Sequence, residues 1–309
     1  MSRQKPKGEK KKVLKILLYG ATGMLGTRLR ELAGKNFKIV GPPHSHLDLS
    51  KKQQVKNNLK DVMPDKVVYA AGITRIDFAQ QYPKEAFRLN AKTVDYICRE
   101  CKILNIPVYY ISTDAVFDGA GLEKPYKETD SVKPISIYGK SKLAGEKSVL
   151  KASPKNAVIR TVMIYSASFP HRKDFARSAY ESLKNKIPFA GILDQVVNPT
   201  FVDDIVKAIF VLLENNAHGI YHVAATDNLT NFEFVKKIAQ AFKLNEKYIL
   251  KTTFEEFFKD RNAPRAKYSV LDTNKFRKKF GESILKSTNK SISEFKKQIS
   301  NSAASPIDM

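Results

Sequence analysis

The chain has 309 residues, of which 42% are hydrophobic and 28% are charged, with 54 Lys and Arg against 31 Asp and Glu. This composition is that of a globular protein and excludes collagen-like and largely disordered chains, while the longest apolar runs, 13–19 and 205–213, are too short to span a bilayer as a helix. The formal net charge of +23 leaves open an anionic partner, whether nucleic acid, a membrane surface or a phosphorylated small molecule.

The chain begins with MSRQKPKGEKKK, which is rich in Lys and poor in apolar side chains and predicts a disordered basic tail over 1–12. A strand-like segment follows it rather than the apolar core of a signal peptide. Cys98 and Cys101 lie three residues apart in YICRECKIL, with no second CxxC or His pair. We therefore predict a reduced pair packed on one helix face and no metal site, and we expect a reducing, cytoplasmic compartment.

From residue 13 onward, short apolar segments alternate with amphipathic ones. The predicted strands are 13–20, 37–41, 65–72, 107–113 and 156–165, and the predicted helices are 24–34, 50–62, 84–104 and 140–151. This β-α-β-α rhythm predicts an α/β fold with a doubly wound parallel sheet and right-handed crossovers.

The rhythm is looser after Tyr165. Helices are predicted at 171–186, 202–215 and 231–242, a strand-and-loop stretch at 187–201, a strand at 219–224, and short helices and loops over 250–300. We expect a Rossmann-like cofactor domain made of 13–165 and about 201–224. A smaller C-terminal substrate domain, about 166–200 and 225–300, is interleaved with it and is followed by a flexible tail over 301–309.

A glycine-rich turn follows the first predicted strand and reads Gly20-Ala21-Thr22-Gly23-Met24-Leu25-Gly26. Its glycines permit a tight turn, a close approach of the backbone to a pyrophosphate, and close packing of a helix on a strand. The helix that follows offers unpaired N–H groups and the positive end of its dipole to phosphates. Because the motif lies in the first βα turn of an alternating chain, it predicts a dinucleotide site.

The end of the second predicted strand bears on the choice of nicotinamide cofactor. A carboxylate there would favour NAD by binding the ribose hydroxyls, but the sequence reads Gly41-Pro42-Pro43-His44 and has no carboxylate before Asp48. This absence favours NADPH, with NADH or dual use as the alternative.

Tyr138 and Lys142 are four residues apart, so a helix would place the phenol and the ammonium on one face. A carbonyl that is reduced by hydride needs a proton at its oxygen, and a nearby ammonium favours the ionised form of a phenol with an ordinary pKa of about 10. The pair alone is common by chance. Thr113 ends the fourth predicted strand and adds a hydroxyl in the crevice where parallel sheets bind ligands. Together the three residues predict the catalytic centre of a nicotinamide-dependent reductase.

Segments that match a known family are spread along the chain. They are YGATGMLG, HSHLDLS, YAAGITRIDFA, STDAVFDG, PISIYGKSKLAGEK, VIRTVMIY, DQVVNPTFVDDI and APRAKYSVLDTNK. From Val13 to about Ile299 the chain resembles the dTDP-4-dehydrorhamnose reductases of the extended short-chain dehydrogenase/reductase superfamily, and more loosely the regulatory subunit of methionine adenosyltransferase. The resemblance implies NAD(P)H-dependent reduction of the 4-keto group of a nucleotide-activated 6-deoxy-hexulose, which the smaller domain binds.

The resemblance also implies roles for single residues. Its catalytic positions are Thr113, Tyr138 and Lys142. Its cofactor-binding positions are Gly20, Thr22, Gly23, Met24, Leu25, Gly26, Asp48, Leu49, Ala70, Ala71, Gly72, Tyr138 and Lys142. Its substrate-binding positions are Thr113, Asp114, Met163, Asn198, with Pro199 and Thr200 beside it, and Arg265. A cationic Arg265 suits a diphosphate.

The chain departs from the family at three places. It contains no Trp, and Met163 stands where members usually have a Trp near the sugar, which leaves the sugar's identity open. One extra residue occurs in AAGITRIDFA, beside the mouth of the site. Arg28 stands where some members have an acidic residue for a metal-bridged dimer, so we expect a monomer or a homodimer without a bridging metal.

Two other functional classes stand beside a reductase: a non-catalytic subunit, and nucleic-acid or membrane association through the basic tail, although we expect no membrane partner. The alternative is a non-catalytic regulatory subunit that keeps the cofactor fold. Nucleic-acid binding is not favoured, because the sequence has no helix-turn-helix, RNP-like or zinc-finger pattern and no basic stripe interleaved with aromatic residues.

Overall fold

The computed structural model describes residues 12–43, 45–120 and 124–304. The predicted basic tail therefore lies outside the described residues, except for Lys12. The strands are β1 (Leu14–Tyr19), β2 (Phe37–Val40), β3 (Lys66–Tyr69), β4 (Val108–Thr113), β5 (Ala157–Thr161), β6 (Ile164–Tyr165), β7 (Phe189–Ile192), β8 (Val196–Val197), β9 (Thr200–Phe201), β10 (Gly219–His222), β11 (Leu229–Thr230), β12 (Ile249–Thr252) and β13 (Tyr268–Ser269).

The helices are α1 (Met24–Glu31), α2 (Lys52–Val62), α3 (Ile76–Gln81), α4 (Pro83–Phe87), α5 (Thr93–Ile103), α6 (Ile137–Ala152), α7 (Phe175–Lys184), α8 (Val202–Glu214), α9 (Asn231–Phe242), α10 (Phe254–Phe258), α11 (Asn274–Phe280) and α12 (Thr288–Ala304). A π-helical turn over Arg88–Lys92 joins α4 to α5, and 3₁₀ turns cover Asp114–Val116 and Glu246–Tyr248.

A six-stranded sheet organises the molecule, with strand order β10-β5-β4-β3-β1-β2 and parallel pairing throughout. All four residues of β3 and all six of β4 are buried, as expected for strands covered by helices on both faces. The chain moves outward from β1 to β2 and then crosses to β3 on the other side of β1. This reversal opens a crevice where β1 and β3 end. The predicted doubly wound α/β fold is confirmed.

Apolar side chains fill both faces of the sheet. One cluster lies against α2 and α5 and includes Cys98 and Cys101, which are buried and free. Burial raises the pKa of Cys98 to about 12, so this thiol is unreactive near neutrality. The larger cluster runs from Ile16 in β1 to Phe295 in α12 and so joins both predicted domains. The division into a cofactor and a substrate domain stays a prediction.

The structure differs from the prediction in the 156–165 strand. Met163 has a φ of +40°, which ends β5 at Thr161 and turns the chain out of the sheet. The short strand β6 then pairs with β9, and the Thr200 N–H donates to the Met163 carbonyl oxygen at 3.1 Å. The apolar pattern continues through the break, which is why periodicity alone predicted one strand.

The C-terminal region is also more regular than predicted. Helix α12 has 17 residues and packs Ile292 and Phe295 into the larger cluster, although its other residues are mostly polar. It extends to Ala304, into the stretch 301–309 predicted as a flexible tail; that tail stays a prediction, and 305–309 lie outside the described residues. Within the described parts of the chain, no helix combines the length and the apolar character that crossing a bilayer requires.

Candidate active site

A cavity of about 330 Å³ lies where β1 and β3 end, in the crevice that the reversal of strand order opens. Most of the predicted cofactor-binding residues line it: Gly20, Thr22, Gly23, Asp48, Leu49, Ala70, Ala71 and Gly72. Met24, Leu25 and Gly26 lie behind this wall, where Leu25 joins the core and Met24 packs against it. Arg88 and Thr93 also line the cavity. Both lie inside the predicted helix at 84–104, and no motif there marks them as cofactor contacts.

The glycine-rich turn fits a dinucleotide. Gly20 has a φ of +93°, and a Cβ there would stand 2.4 Å from the Ala71 nitrogen. A Cβ on Gly26 would stand 2.1 Å from the Gly20 carbonyl oxygen, whereas one on Gly23 would meet only that oxygen, at 3.5 Å. Gly20 and Gly26 therefore allow close packing, and Gly23 leaves open space for a phosphate next to the start of α1.

The variant Gly26→Ala is expected to weaken NADPH binding about tenfold or more and to cost about 1–3 kcal/mol of stability, because the atoms it meets are backbone. Calorimetric titration with NADPH and thermal unfolding measure the two effects. Gly34→Ala is the matched control, since nothing lies within 4 Å of the Cβ it would add. Unchanged NADPH affinity in Gly26→Ala would show that this close packing does not determine the shape of the glycine-rich turn.

Helix α6 carries the predicted catalytic pair. Its N-cap is Ser136, whose hydroxyl accepts a hydrogen bond from the Gly139 N–H at 3.1 Å, so the helix starts early enough to include Tyr138. Tyr138 and Lys142 are 9% and 4% exposed. They lie one turn apart on the helix, as the spacing predicts.

The Lys142 ammonium is held between the helix and the sheet. Its Nζ donates to the Ile111 carbonyl oxygen at 2.6 Å and lies 3.9 Å from the centroid of the Tyr110 ring. A Cβ on Gly72 would be 4.0 Å from this Nζ, so the ammonium borders the cavity. Burial lowers the pKa of Lys142 from 10.5 to about 7, while the charge of Glu146 acts in the opposite direction.

The Tyr138 phenol meets the end of β4. Burial raises its pKa to about 12, a hydrogen bond with Thr113 acts to lower it, and the charge of Asp114 raises it. The Thr113 hydroxyl donates to the Asp114 carboxylate at 2.9 Å and accepts from the Ala115 N–H at 3.2 Å. Burial also raises the pKa of Asp114. The structure thus brings Thr113, Tyr138 and Lys142 together, and their catalytic role stays a prediction.

A buried ion pair lies one helical turn beyond Lys142. Glu146 accepts two hydrogen bonds from the guanidinium of Arg160 in β5, at 3.0 and 2.7 Å, and one from Ser112 at 2.5 Å. The two charged side chains are only 2% and 3% exposed. His222 lies 3.5 Å from Arg160, and burial followed by the Arg160 charge lowers the pKa of His222 to about 3. This network fixes α6 against the strand ends that carry the site.

Asn90 links the segment after β3 to α6, and it was not among the predicted site residues. It lies in the π-helical turn, fully buried, and its amide exchanges hydrogen bonds with the Ile73 backbone at 2.9 and 3.0 Å. The same amide donates to Ser141 at 3.0 Å, between the catalytic pair. π-Helical turns inside helices are common at functional sites. A polar amide among the apolar positions of a helix was the signal available in the sequence.

The predicted substrate-binding residues Arg265, Asn198 and Met163 lie in different surroundings and, within the described part of the chain, do not line the same cavity as the cofactor-binding residues. Arg265 donates to Asp77 in α3 at 2.7 Å and to the Ala263 carbonyl oxygen at 2.8 Å, so it bridges the C-terminal half to the rim of the site. Asn198 is 3% exposed, and its amide hydrogen-bonds the backbone of Ala225, Asp227 and Leu271. Asn198 therefore organises the loops around it, while Met163 is half-buried against the core.

Arg28 does not face an open surface. Its guanidinium makes two hydrogen bonds to Asp203 in α8, at 2.6 and 2.7 Å, and one to Glu31 at 2.8 Å. In the described parts of the chain, no three or more His, Cys, Asp or Glu side chains are grouped so that they could hold a metal ion. The expected absence of a metal-bridged dimer stays a prediction.

Comparison with known proteins extends the similarity across the chain. Residues 14–300 match the family model described as RmlD substrate binding domain. The dTDP-4-dehydrorhamnose reductase of Escherichia coli (strain K12) is 32% identical over 86% of this chain and 92% of its own. The spore coat polysaccharide biosynthesis protein SpsK of Bacillus subtilis (strain 168) is 30% identical over 83% of this chain and 88% of its own.

A solved structure is also similar over most of the chain. The crystal structure of dTDP-4-dehydrorhamnose reductase from Bacillus anthracis str. Ames in complex with NADP has a TM-score of 0.85 and 28% sequence identity, and the match covers 92% of this chain and 99% of that one. The similarity therefore includes the C-terminal half as well as the cofactor half.

Proposed function

Because this chain belongs to the RmlD substrate binding domain family, we propose that it reduces the 4-keto group of a nucleotide-activated 6-deoxy-hexulose, with NADPH as the reductant. The observation that carries the proposal is the meeting of Thr113, Tyr138 and Lys142 beside a cavity shaped for a dinucleotide. The predicted resemblance to the dTDP-4-dehydrorhamnose reductases is confirmed by the family match, and the regulatory-subunit alternative is not favoured.

Residues of the cavity would hold the cofactor along its length. The turn from Gly20 to Gly26 fits the pyrophosphate, Asp48 and Leu49 border the adenine side, and Gly72 lies beside Lys142 on the nicotinamide side. NADPH, when bound, supplies the hydride for the carbonyl carbon.

Three side chains then act on the carbonyl oxygen. The Tyr138 Oη donates its proton to this oxygen, because a phenol with a pKa near 12 stays protonated at neutral pH. The Thr113 hydroxyl turns from Asp114 to donate a hydrogen bond to the same oxygen. The Lys142 ammonium, one turn along α6, favours the phenolate that Tyr138 becomes. Burial of all three excludes water and strengthens these interactions.

The purified chain is the material for the test. With dTDP-4-keto-6-deoxy-hexulose as substrate, it should oxidise NADPH, seen as loss of absorbance at about 340 nm, and form one deoxy-sugar nucleotide per cofactor. Cofactor binding without turnover on 4-keto-6-deoxy sugars, with either a thymidine or a uridine nucleotide, would overturn the proposal.

We also propose that the enzyme is cytoplasmic and acts as a monomer or homodimer.

Lys142 is expected to give kcat/KM a descending limb near pH 7. The ammonium is the active form, and its pKa is about 7 in the fold, so kcat/KM falls as the pH rises through that value. Between about pH 7 and 10.5 the unfolded chain holds this proton while the folded chain does not, so fold stability rises with pH over that window.

A pH series of initial rates, and thermal unfolding over the same series, measure both effects. Lys142→Arg is the matched control, because a guanidinium keeps its charge through this range and its residual activity should lack the limb. A limb that appears only near pH 10 would show that Glu146 outweighs burial at this lysine.

A further inference from the structure

The charged residues that line the described part of the cavity are few. Asp48 and Arg88 are the ones present, and Arg88 is already paired with Glu85 at 2.5 Å. The turn from Gly20 to Gly26 would bind a pyrophosphate through backbone N–H groups rather than through side-chain cations. An additional phosphate on the adenosine ribose would therefore need a cation from outside the glycine turn.

The adenosine ribose has a defined place in this fold, next to the carboxyl end of the second strand. In this chain β2 ends at Val40, and Gly41 and Pro42 follow it, with Pro42 lining the cavity. The sequence from Gly41 to Leu47 has no carboxylate that would bind the two ribose hydroxyls or repel a phosphate on one of them. This edge of the cavity is therefore compatible with a 2′-phosphate.

Arg30 lies against this edge. It is in the last turn of α1, and its Cδ is 3.7 Å from the position that a Cβ on Gly41 would occupy. A residue with a side chain at position 41 would crowd Ala21 and approach the Arg30 stem, so the glycine leaves room for the stem to reach the strand end. Helical side chains lean toward the N-terminus of their helix, a direction that in α1 leads back to the glycine turn.

Arg30 also differs from its neighbour Arg28 in its partners. The guanidinium of Arg28 is occupied by Asp203 and Glu31. Arg30 is exposed and makes no hydrogen bond or ion pair with any residue that the structure describes. A guanidinium without a carboxylate partner, next to the stretch from Gly41 to Leu47 that has no carboxylate, can form two parallel hydrogen bonds with a phosphate.

We propose that Arg30 selects NADPH over NADH by pairing with the 2′-phosphate of the adenosine ribose at the end of β2. This assignment rests on the proposed function, and it names the residue that determines the preference for NADPH over NADH. Arg88 borders the same cavity from the helical side, but its pairing with Glu85 leaves it less available.

Two small nucleotides separate the contribution of the 2′-phosphate from everything else. Calorimetric titration of the full chain with 2′,5′-ADP (adenosine 2′,5′-bisphosphate) and with 5′-AMP, which differ only in the 2′-phosphate, measures the affinity for each without any sugar substrate. We expect the unmodified chain to prefer 2′,5′-ADP. Arg30→Ala should weaken 2′,5′-ADP binding by about 10- to 100-fold, the effect of losing a charge-assisted contact, and leave 5′-AMP binding within about twofold.

Matched variants make the result specific. Lys38→Ala removes an exposed positive charge from β2 and should change neither affinity by more than about twofold, which controls for the overall basic charge. Arg30→Gln should behave like Arg30→Ala and keep most of the stem. Equal losses for both nucleotides in Arg30→Ala would overturn the assignment, as would loss of the preference in Arg88→Ala instead.

The two proposals fail in different ways. If the unmodified chain binds neither nucleotide, the dinucleotide site is wrong and the proposed function fails with it. If it binds both nucleotides with the same affinity, only the Arg30 assignment fails, and NADPH turnover on a 4-keto sugar nucleotide still stands.

Discussion

Replacing Tyr138 by Phe is expected to lower kcat for the reduction of a 4-keto sugar nucleotide by about 100- to 10,000-fold, the usual contribution of a positioned general acid. The phenol is the proposed proton donor: it hydrogen-bonds Thr113 and lies one helical turn from Lys142. The ring itself packs against Ala79 and Ala86, and Phe preserves that packing. NADPH affinity, measured by calorimetry, should therefore change little while single-turnover rates collapse.

The control for this result is Tyr126→Phe. Tyr126 is also buried, at 3% exposure, and its hydroxyl donates to Asp118 at 2.7 Å rather than to any of the three proposed catalytic residues. Its loss should affect stability more than turnover. If Tyr138→Phe kept turnover within tenfold of the unmodified chain, the proton would have to come from another group, and the neighbouring Asp114 would become the candidate.

Much of the fold and of this site could be predicted because their signals are local in the sequence. The glycine turn is one continuous heptapeptide, and a helical spacing of four residues places Tyr138 and Lys142 together. Thr113 joins them because parallel strands end at one edge of the sheet. Buried strands such as β3 and β4 read as apolar runs, which sequence patterns detect well.

The residues that surround the predicted catalytic centre could not be predicted in this way, because the register of the sheet determines which side chains they contact. Ser112 and Arg160 are neighbours because β4 pairs with β5 in the register Ser112 to Arg160. Only then does Glu146 on α6 meet both. Asn90 required the π-helical turn that redirects its amide, and the break at Met163 depends on a left-handed backbone that the apolar pattern does not reveal.

The buried pair of Glu146 and Arg160 leads to the largest expected loss of stability. Arg160→Met keeps the apolar stem and removes the charge, which leaves the Glu146 carboxylate buried without its counter-ion. Breaking one side of such a pair costs about 3–5 kcal/mol. Urea unfolding of the variant should show this loss. Arg99→Met, which breaks an exposed pair with Asp95, is the matched control and should cost less than about 1 kcal/mol.

The double variant Arg160→Met/Glu146→Gln shows what this pair contributes to the site. Removing both charges relieves the uncompensated carboxylate, so stability should recover by a large part of the loss in Arg160→Met. Turnover should not recover to the same extent. Ser112 loses a charged acceptor, and Ser112 lies between Ile111, which holds the Lys142 ammonium, and Thr113. A double variant with both stability and kcat restored would show that the pair only fills space, whereas restored stability with a depressed kcat assigns it to positioning the strand end.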